Sequence, residues 1–316
     1  MGKQHTISKA IITFSAILYF TNKYSKHKFE EEMIEETVME RRRSRIRRVC
    51  DQFDSNIRTE YSSLKNRQKP VNSLAGTFFQ VDNNVHFLCT VLKGGSSSWE
   101  AFFTFNKIGR VLLDACQDNR LFIGNCPNNV DIKIMQVRHP LARLLATYRH
   151  IFKNSGWRSM QGMTLLGPED VAIFSASWPE FVENVVLRDP FNRTESDLED
   201  NDACGVWIKH HWAPYWYTCG VCSAHFVPDI VIKTETLPQD IGPVLDILGI
   251  RGNVSFPHIH ILGTNQQETD TESSEDVVEH YYSQLTKTQV VRLYQMYKLD
   301  HLMFGYSPQK YINLAK

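Results

Sequence analysis

No sign of charge dominates this chain. Lysine plus arginine and aspartate plus glutamate each number 35, and the formal net charge is zero. Such a balance gives no global attraction for polyanions, so any anion-binding surface must be local and no nucleic-acid partner is expected. Long hydrophobic runs are also missing. The most apolar stretch, residues 10–21 (AIITFSAILYFT), is shorter than the roughly 20 residues of a spanning helix. Extending it back to Thr6 through Lys9, whose stem can snorkel, brings it closer. No A-x-A-like cleavage site follows, so a short signal-anchor is expected rather than a removed leader. Lysines lie on both sides of the run (Lys3 and Lys9; Lys23, Lys26 and Lys28), so the positive-inside rule sets no orientation.

Three further absences narrow the chemistry. The nucleotide-binding pattern G-x-x-x-x-G-K-[ST] does not fit the one lysine-bearing glycine loop, because there the lysine comes first. Cys219-Gly220-Val221-Cys222 is a C-x-x-C with no second copy, so a structural disulfide contribution is expected rather than zinc, and no metal. The seven cysteines (50, 89, 116, 126, 204, 219 and 222) leave at least one free or intermolecular thiol in an oxidising compartment. There are no internal repeats.

What is present reads as one large α/β domain behind an N-terminal extension. Hydrophobic residues make up 42% and charged ones 22%, enough for a sizeable core. Residues 29–53 form an expected helix, acidic at its start and basic at its end. Its arginines (Arg41, Arg42, Arg43, Arg45, Arg47 and Arg48) could be a glycosaminoglycan or nucleic-acid patch. The expectation is a solvated face on a membrane-proximal stem. Short apolar strands are expected at 85–92, 132–137 and 229–233, with helices at 98–105, 141–153 and 281–304. Alternating strands and helices imply a central parallel sheet flanked by helices, with ligands at the C-terminal strand ends. Residues 263–276 (GTNQQETDTESSED) are polar and acidic, a flexible loop. The boundaries are then 1–28 for a cytoplasmic tail and signal-anchor, 29–75 for the helical stem, and 76–316 for the catalytic domain. The sequons Asn192-Arg193-Thr194 and Asn253-Val254-Ser255 would suit a secretory lumen.

Two constellations sit where ligands are expected. Lys93 ends a strand, and Gly94, Gly95, Ser96, Ser97, Ser98 and Trp99 lead from it into a helix. Free amides, a helix N-terminus and one cation make a phosphate or sulfate cradle. About 45 residues later Arg138-His139-Pro140 ends the next strand and starts the next helix, which carries Arg143, Ala146 and Arg149. An arginine fork suits a second phosphate.

Together these elements resemble the two nucleotide-binding elements of the membrane-bound carbohydrate sulfotransferases. Further downstream, His211-Trp212-x-Pro214, Cys219-x-x-Cys222 and Asp229-Ile-Val-Ile-Lys-Thr-Glu-Thr-Leu237 are similar to that family's later blocks. The ending from Tyr297 to Tyr306 (YKLDHLMFGY) is similar to the chondroitin and dermatan 4-O-sulfotransferase branch. The resemblance implies a P-loop-like sulfotransferase fold. It also implies an enzyme moving a sulfuryl group from 3′-phosphoadenosine 5′-phosphosulfate to a glycan hydroxyl. The first loop, Lys93 to Trp99, would hold the 5′-phosphosulfate; Arg138 and Arg143, with Ala146 at the position of a family serine, would hold the 3′-phosphate. Lys93 would act as catalytic cation and His211 as candidate general base. The acceptor would be a glycosaminoglycan such as chondroitin or dermatan, and the location a Golgi membrane, single-pass type II, with a luminal catalytic domain.

The chain departs from the family pattern at five positions. Leu92 replaces a proline, Gly94 and Gly95 replace bulkier residues, Glu100 stands where a basic residue is usual, and Ala146 stands for serine. A Glu100 carboxylate near the donor would repel it, and replacing it by lysine is expected to strengthen donor binding. The alternative function is a sulfotransferase-like protein that binds nucleotide or glycan without turnover.

Overall fold

The computed structural model describes residues 37–67, with side chains to 53, and 76–110, 130–153, 176–188, 211–222, 226–252, 254, 256–257 and 274–316. The expected signal-anchor, both sequon asparagines, Cys116, Cys126, Cys204 and most of the acidic loop lie outside these residues. The chain divides between Val38 and Met39, and nearly all described residues belong to the second part.

Its centre is a four-stranded sheet in the order β1 (Gly76–Val81), β2 (Asn84–Thr90), β3 (Ile132–Val137), β4 (Ile230–Lys233). Strands β2, β3 and β4 are parallel, and β1 adds an antiparallel edge. The parallel trio follows from apolar runs buried on both faces. One face packs Phe87, Cys89, Met135, Val137 and Val231 against Ile46, Val49 and Phe226. The other packs Leu88, Ile134 and Ile232 against Trp99, Phe102, Phe103 and Leu237. Alternate residues therefore feed two different cores. Strand β1 was not among the expected strands, although Thr77 to Val81 before Asp82-Asn83 is a strand-and-turn signal.

Helix α1 (Val38–Arg67) crosses the first face. Ile46 is fully buried there, and Cys50 forms a disulfide with Cys222. The arginine run is not uniformly solvated. Arg42 donates to Asp240 Oδ2 (2.6 Å), to the Val231 carbonyl (2.7 Å) and to Thr236 Oγ1 (3.0 Å). Arg43 pairs with Asp229 at 2.8 Å. A helix face that spends its guanidinium groups on the sheet is a docking face.

Helix α2 (Ser96–Phe105) follows β2 and α3 (Pro140–Thr147) follows β3. Pro140 opens α3 at the position where a missing N–H costs nothing. The helix expected to run to residue 153 is α-helical only to Thr147, and Tyr148–Phe152 continues it with π-helical turns. Helix α4 (Trp178–Glu180) likewise runs into π-helical turns, while α5 (Tyr215–Thr218) and α6 (Leu237–Ile247) flank β4. The single helix expected over 281–304 is instead α7 (Ser274–Tyr282), α8 (Lys287–Met296) and α9 (Lys298–Phe304), before α10 (Gln309–Leu314). The break is local chemistry. Thr286 Oγ1 accepts from the Gln289 N–H (3.2 Å) and the Thr286 N–H donates to Gln289 Oε1 (3.0 Å), a capping box that starts a new helix. These helices brace the site from behind: Tyr282 donates to the Leu141 carbonyl (2.8 Å) and Tyr297 to the Trp212 carbonyl (2.6 Å).

Candidate functional site

All three parallel strands end at one edge of the sheet, and each is followed or closed by a cation. Lys93 stands three residues beyond β2, Arg138 is the first residue beyond β3, and Lys233 is the last residue of β4. Register places Val137 beside Lys233.

The loop after β2 has an unusual backbone. Lys93 is left-handed, φ +65°, and Gly95 has φ +127°. A non-glycine residue in that region costs about 1–2 kcal/mol, so the surroundings must hold it. They do so through buried polar groups. Gly94 N–H donates to the Val91 carbonyl (2.8 Å). Thr234 Oγ1 lies 3.0 Å from the Gly94 carbonyl, and Gln136 Nε2 donates to that hydroxyl at 3.3 Å. Gln136, fully buried, also accepts from Trp99 Nε1 at 2.5 Å. The two glycines that replace bulkier residues now have a reason. A Cβ on Gly95 would lie 2.2 Å from Gln136 Nε2, and one on Gly94 would lie 3.0 Å from Tyr215 Oη. Chain and scaffold are fitted to each other there.

With Ser98 and Trp99 donating back to the Gly95 carbonyl (3.1 and 3.3 Å), the amides of Gly95, Ser96 and Ser97 donate to nothing among the described residues. They sit at the N-terminus of α2, where its dipole is positive. Ser98 and Trp99 themselves are buried, and Trp99 packs beneath the loop against Phe102, Phe103 and Phe256. They shape the cradle from below.

Tyr215 joins the two constellations. Its hydroxyl accepts from the Arg138 N–H at 2.8 Å and lies under Gly94, and burial pushes its pKa up to about 12. Sequence reasoning missed it, along with Gln136 and Asp300, because their partners are distant in the chain. Asp300 is buried and accepts from the Tyr215 and Trp216 N–H groups (2.8 and 3.1 Å), fixing the start of α5. Burial raises its carboxyl to about 7.

Arg143 is placed differently from the expectation. It is 1% exposed, donates to the Leu92 carbonyl (3.0 Å) and the Ala213 carbonyl (2.7 Å), and lies over the Tyr215 ring at 4.6 Å. Four residues into α3, it faces the core and ties the loop to the His-Trp block as a strut. Ala146 is half-buried, and the neighbouring Thr147 is buried with its hydroxyl 2.8 Å from the His211 carbonyl. His211 is also buried.

Lys93 and Arg138 do come together. Burial first, and then the charge of Arg138, bring the Lys93 pKa down to about 8. Neither side chain forms an ion pair or hydrogen bond among the described residues. Beside them His139 takes the cap of α3: its Nδ1 accepts from the Leu141 N–H (3.2 Å), leaving Nε2 to donate to the Ser307 carbonyl (3.0 Å). Burial, with Lys233, Lys310 and Arg138 nearby, lowers its pKa to about 4, so it stays neutral and adds no charge to the cations around it. Glu100 is exposed and pairs with Arg110 at 2.9 Å. The sequence expectation placed it by the donor; in the second turn of α2 its carboxylate turns outward to that arginine instead. Cys89, at the end of β2, forms a disulfide with Cys219, just beyond α5. The C-x-x-C is therefore two separate bridges.

Among the described residues, two half-buried cations without ion pairs and helix-end amides without acceptors, with the Glu235 carboxylate taken up by the His139 N–H and the Tyr306 hydroxyl, form an arrangement suited to a ligand with two anionic ends. The chain is 27% identical over 192 residues to carbohydrate sulfotransferase 11 of Mus musculus, covering 58% of this chain and 49% of that protein. It is 23% identical over 294 residues to carbohydrate sulfotransferase 9 of Homo sapiens (86% and 60%) and 25% identical over 254 residues to carbohydrate sulfotransferase 10 of Danio rerio (72% and 66%). The chain spans about half the length of the first of these relatives. No solved structure matches it. Residues 76–307, from the first strand to just beyond α9, match the sulfotransferase family as a whole, and the chain belongs to that family.

Proposed function

We propose that this protein transfers a sulfuryl group from 3′-phosphoadenosine 5′-phosphosulfate to a glycan hydroxyl. The observation that carries the reading is the pair Lys93 and Arg138, two cations on one sheet edge whose side chains have no partner among the described residues, beside the amides of Gly95, Ser96 and Ser97, which likewise donate to nothing among them. The residues fit the donor's two anionic ends. Lys93 and the α2 amides would hold the 5′-phosphosulfate, and Arg138 at the start of α3 the 3′-phosphate.

The donor supplies the activated sulfuryl group. In the transfer, the acceptor oxygen bonds to sulfur as the bond from sulfur to the 5′-phosphate oxygen breaks, and the hydroxyl proton leaves to a base. Lys93 neutralises the charge that grows on the departing phosphate oxygen. Tyr215, Gln136 and Arg143 hold the loop so that this charge needs no rearrangement to be met. His211 is our candidate base. In His211→Gln a base would be read as loss of the acid limb of the pH–rate profile, and a packing role as lowered stability at every pH.

The acceptor is read as a glycosaminoglycan of the chondroitin or dermatan type, matching the similarity of the C-terminal segment to that branch. The compartment is read as the Golgi lumen, behind an N-terminal anchor. Two disulfides among the described residues suit an oxidising lumen, and no described helix is long and apolar enough to cross a membrane. Of the features that would suit a relative without turnover, Glu100 is spent on Arg110. The deciding experiment offers labelled donor with desulfated chondroitin, dermatan and heparan, then maps the product linkage. Transfer that survives Lys93→Ala, or none to any glycan, overturns the reading.

A further inference from the structure

The third cation of the sheet edge has no role in the scheme above. Lys233 closes β4, and its ammonium rests over the Tyr306 ring at 4.2 Å. Among the described residues it makes no ion pair and no side-chain hydrogen bond, so three N–H donors are unspent. The nearby carboxylates are engaged elsewhere. Asp240 accepts from Arg42 (2.6 Å), Thr236 (2.7 Å) and the Lys233 backbone N–H (3.0 Å). Glu235 accepts from the His139 N–H (2.6 Å) and the Tyr306 hydroxyl (2.7 Å). Burial and the charges of Arg42 and Arg45 depress the Lys233 pKa, and Glu235 and Asp240 offset part of this. A half-buried cation with neighbouring cations, carboxylates that are bonded to other donors and no direct ion pair among the described residues is positioned for an anion from outside the chain.

Strand order says which anion. Neighbouring strands lie about 4.8 Å apart, so the ends of β3 and β4 are one spacing apart, within reach of a lysine stem. Lys93 follows β2, on the opposite side of Arg138 from Lys233. The ring of His139, next in the chain to Arg138, feels the charge of both Arg138 and Lys233. We infer that Lys233 is a second cation for the phosphate held by Arg138, so that it sets the preference for 3′-phosphorylated nucleotides over those lacking that group. This rests on the assignment of Arg138 to the 3′-phosphate given above.

The test compares adenosine 3′,5′-bisphosphate with adenosine 5′-monophosphate, by calorimetry on the full chain. Lys233→Gln keeps the stem over Tyr306 and removes the charge. It should weaken the bisphosphate about 10–100-fold and leave the monophosphate within about twofold, with the acceptor KM unchanged. Lys233→Arg should restore most of the preference. An unchanged bisphosphate affinity, an equal loss for both nucleotides, or a rise confined to the acceptor KM overturns the inference while the donor-site reading stands. An unmutated protein with no preference for the bisphosphate removes the Arg138 assignment, and the inference with it.

Discussion

Lys93 concentrates two unfavourable features, a left-handed backbone and a half-buried ammonium whose pKa burial and Arg138 lower to about 8. A bound anion relieves the second. The folded pKa lies below the ordinary 10.5, so between pH 8 and 10.5 the unfolded chain binds more protons, and this group makes stability rise with pH. Binding runs the other way, because the anion needs the charged form. The affinity for adenosine 3′,5′-bisphosphate should fall as pH rises through about 8, a range in which the phosphates themselves no longer titrate. Lys93→Arg should flatten that limb, and a flat titration of the unmutated protein from pH 7 to 9.5 would count against Lys93. Gly95 makes a steric prediction. Gly95→Ala forces a Cβ to 2.2 Å from Gln136 Nε2 at φ +127°, so it should lose about 1–3 kcal/mol in thermal melts and bind nucleotide poorly. Gly94→Ala, with contacts at 3.0 Å, should be milder. Glu100→Lys should leave nucleotide affinity within about twofold, since it breaks only an exposed pair worth under about 1 kcal/mol. A clear gain in affinity would bring the carboxylate back to the site.

At the scale of elements, α1 is held by a few directed contacts. Arg42 and Asp240 are 13% and 5% exposed, and removing the arginine leaves a buried carboxylate with only neutral donors. Arg42→Ala should therefore lose about 3 kcal/mol in urea titrations. Arg43→Ala, whose pair with Asp229 is 38% and 30% exposed, should lose under about 1. Equal losses would show that the helix is held by its apolar stripe alone. The same contacts show what a sequence can reveal. Strands β2, β3 and β4 were legible because each is an apolar run ended by a charged or glycine-rich turn, and the placement of Lys93 and Arg138 beyond the ends of β2 and β3 was legible with them. The inward turn of Arg143 was not, because its acceptors are the carbonyls of Leu92 and Ala213, which no local pattern marks. The break at Thr286 was hidden because apolar 3.6-residue spacing continues across it, although Thr286 and Gln289 spell the cap. Disulfide pairing was illegible for the same reason as Arg143: it is decided by what the sheet brings together.

For the molecule as a whole, one disulfide joins the two halves of the candidate site and the other fastens α1 beside it. Cys89–Cys219 bridges 130 residues and ties the end of β2, just before Lys93, to the segment that carries Tyr215. Cys50–Cys222 bridges 172 residues and ties α1 to the turn after it. Loops of that length give about 3–5 kcal/mol per bridge through the unfolded chain's entropy, a large fraction of a domain's usual 5–15 kcal/mol. Cys50→Ser with Cys222→Ser should therefore lower the melting temperature while leaving nucleotide affinity largely intact, because that bridge holds a helix and not the loop. Cys89→Ser with Cys219→Ser should lower both. The Tyr215 hydroxyl meets Arg138 and Gly94 only while α5 stays against β2, and an unlatched α5 would let the Lys93 backbone leave its left-handed state. Titrating nucleotide binding and melting of both double variants, with the unmutated protein under reductant as a third arm, separates stability from site geometry. Parallel losses of affinity and stability in the two double variants would show that the bridges act through global stability alone.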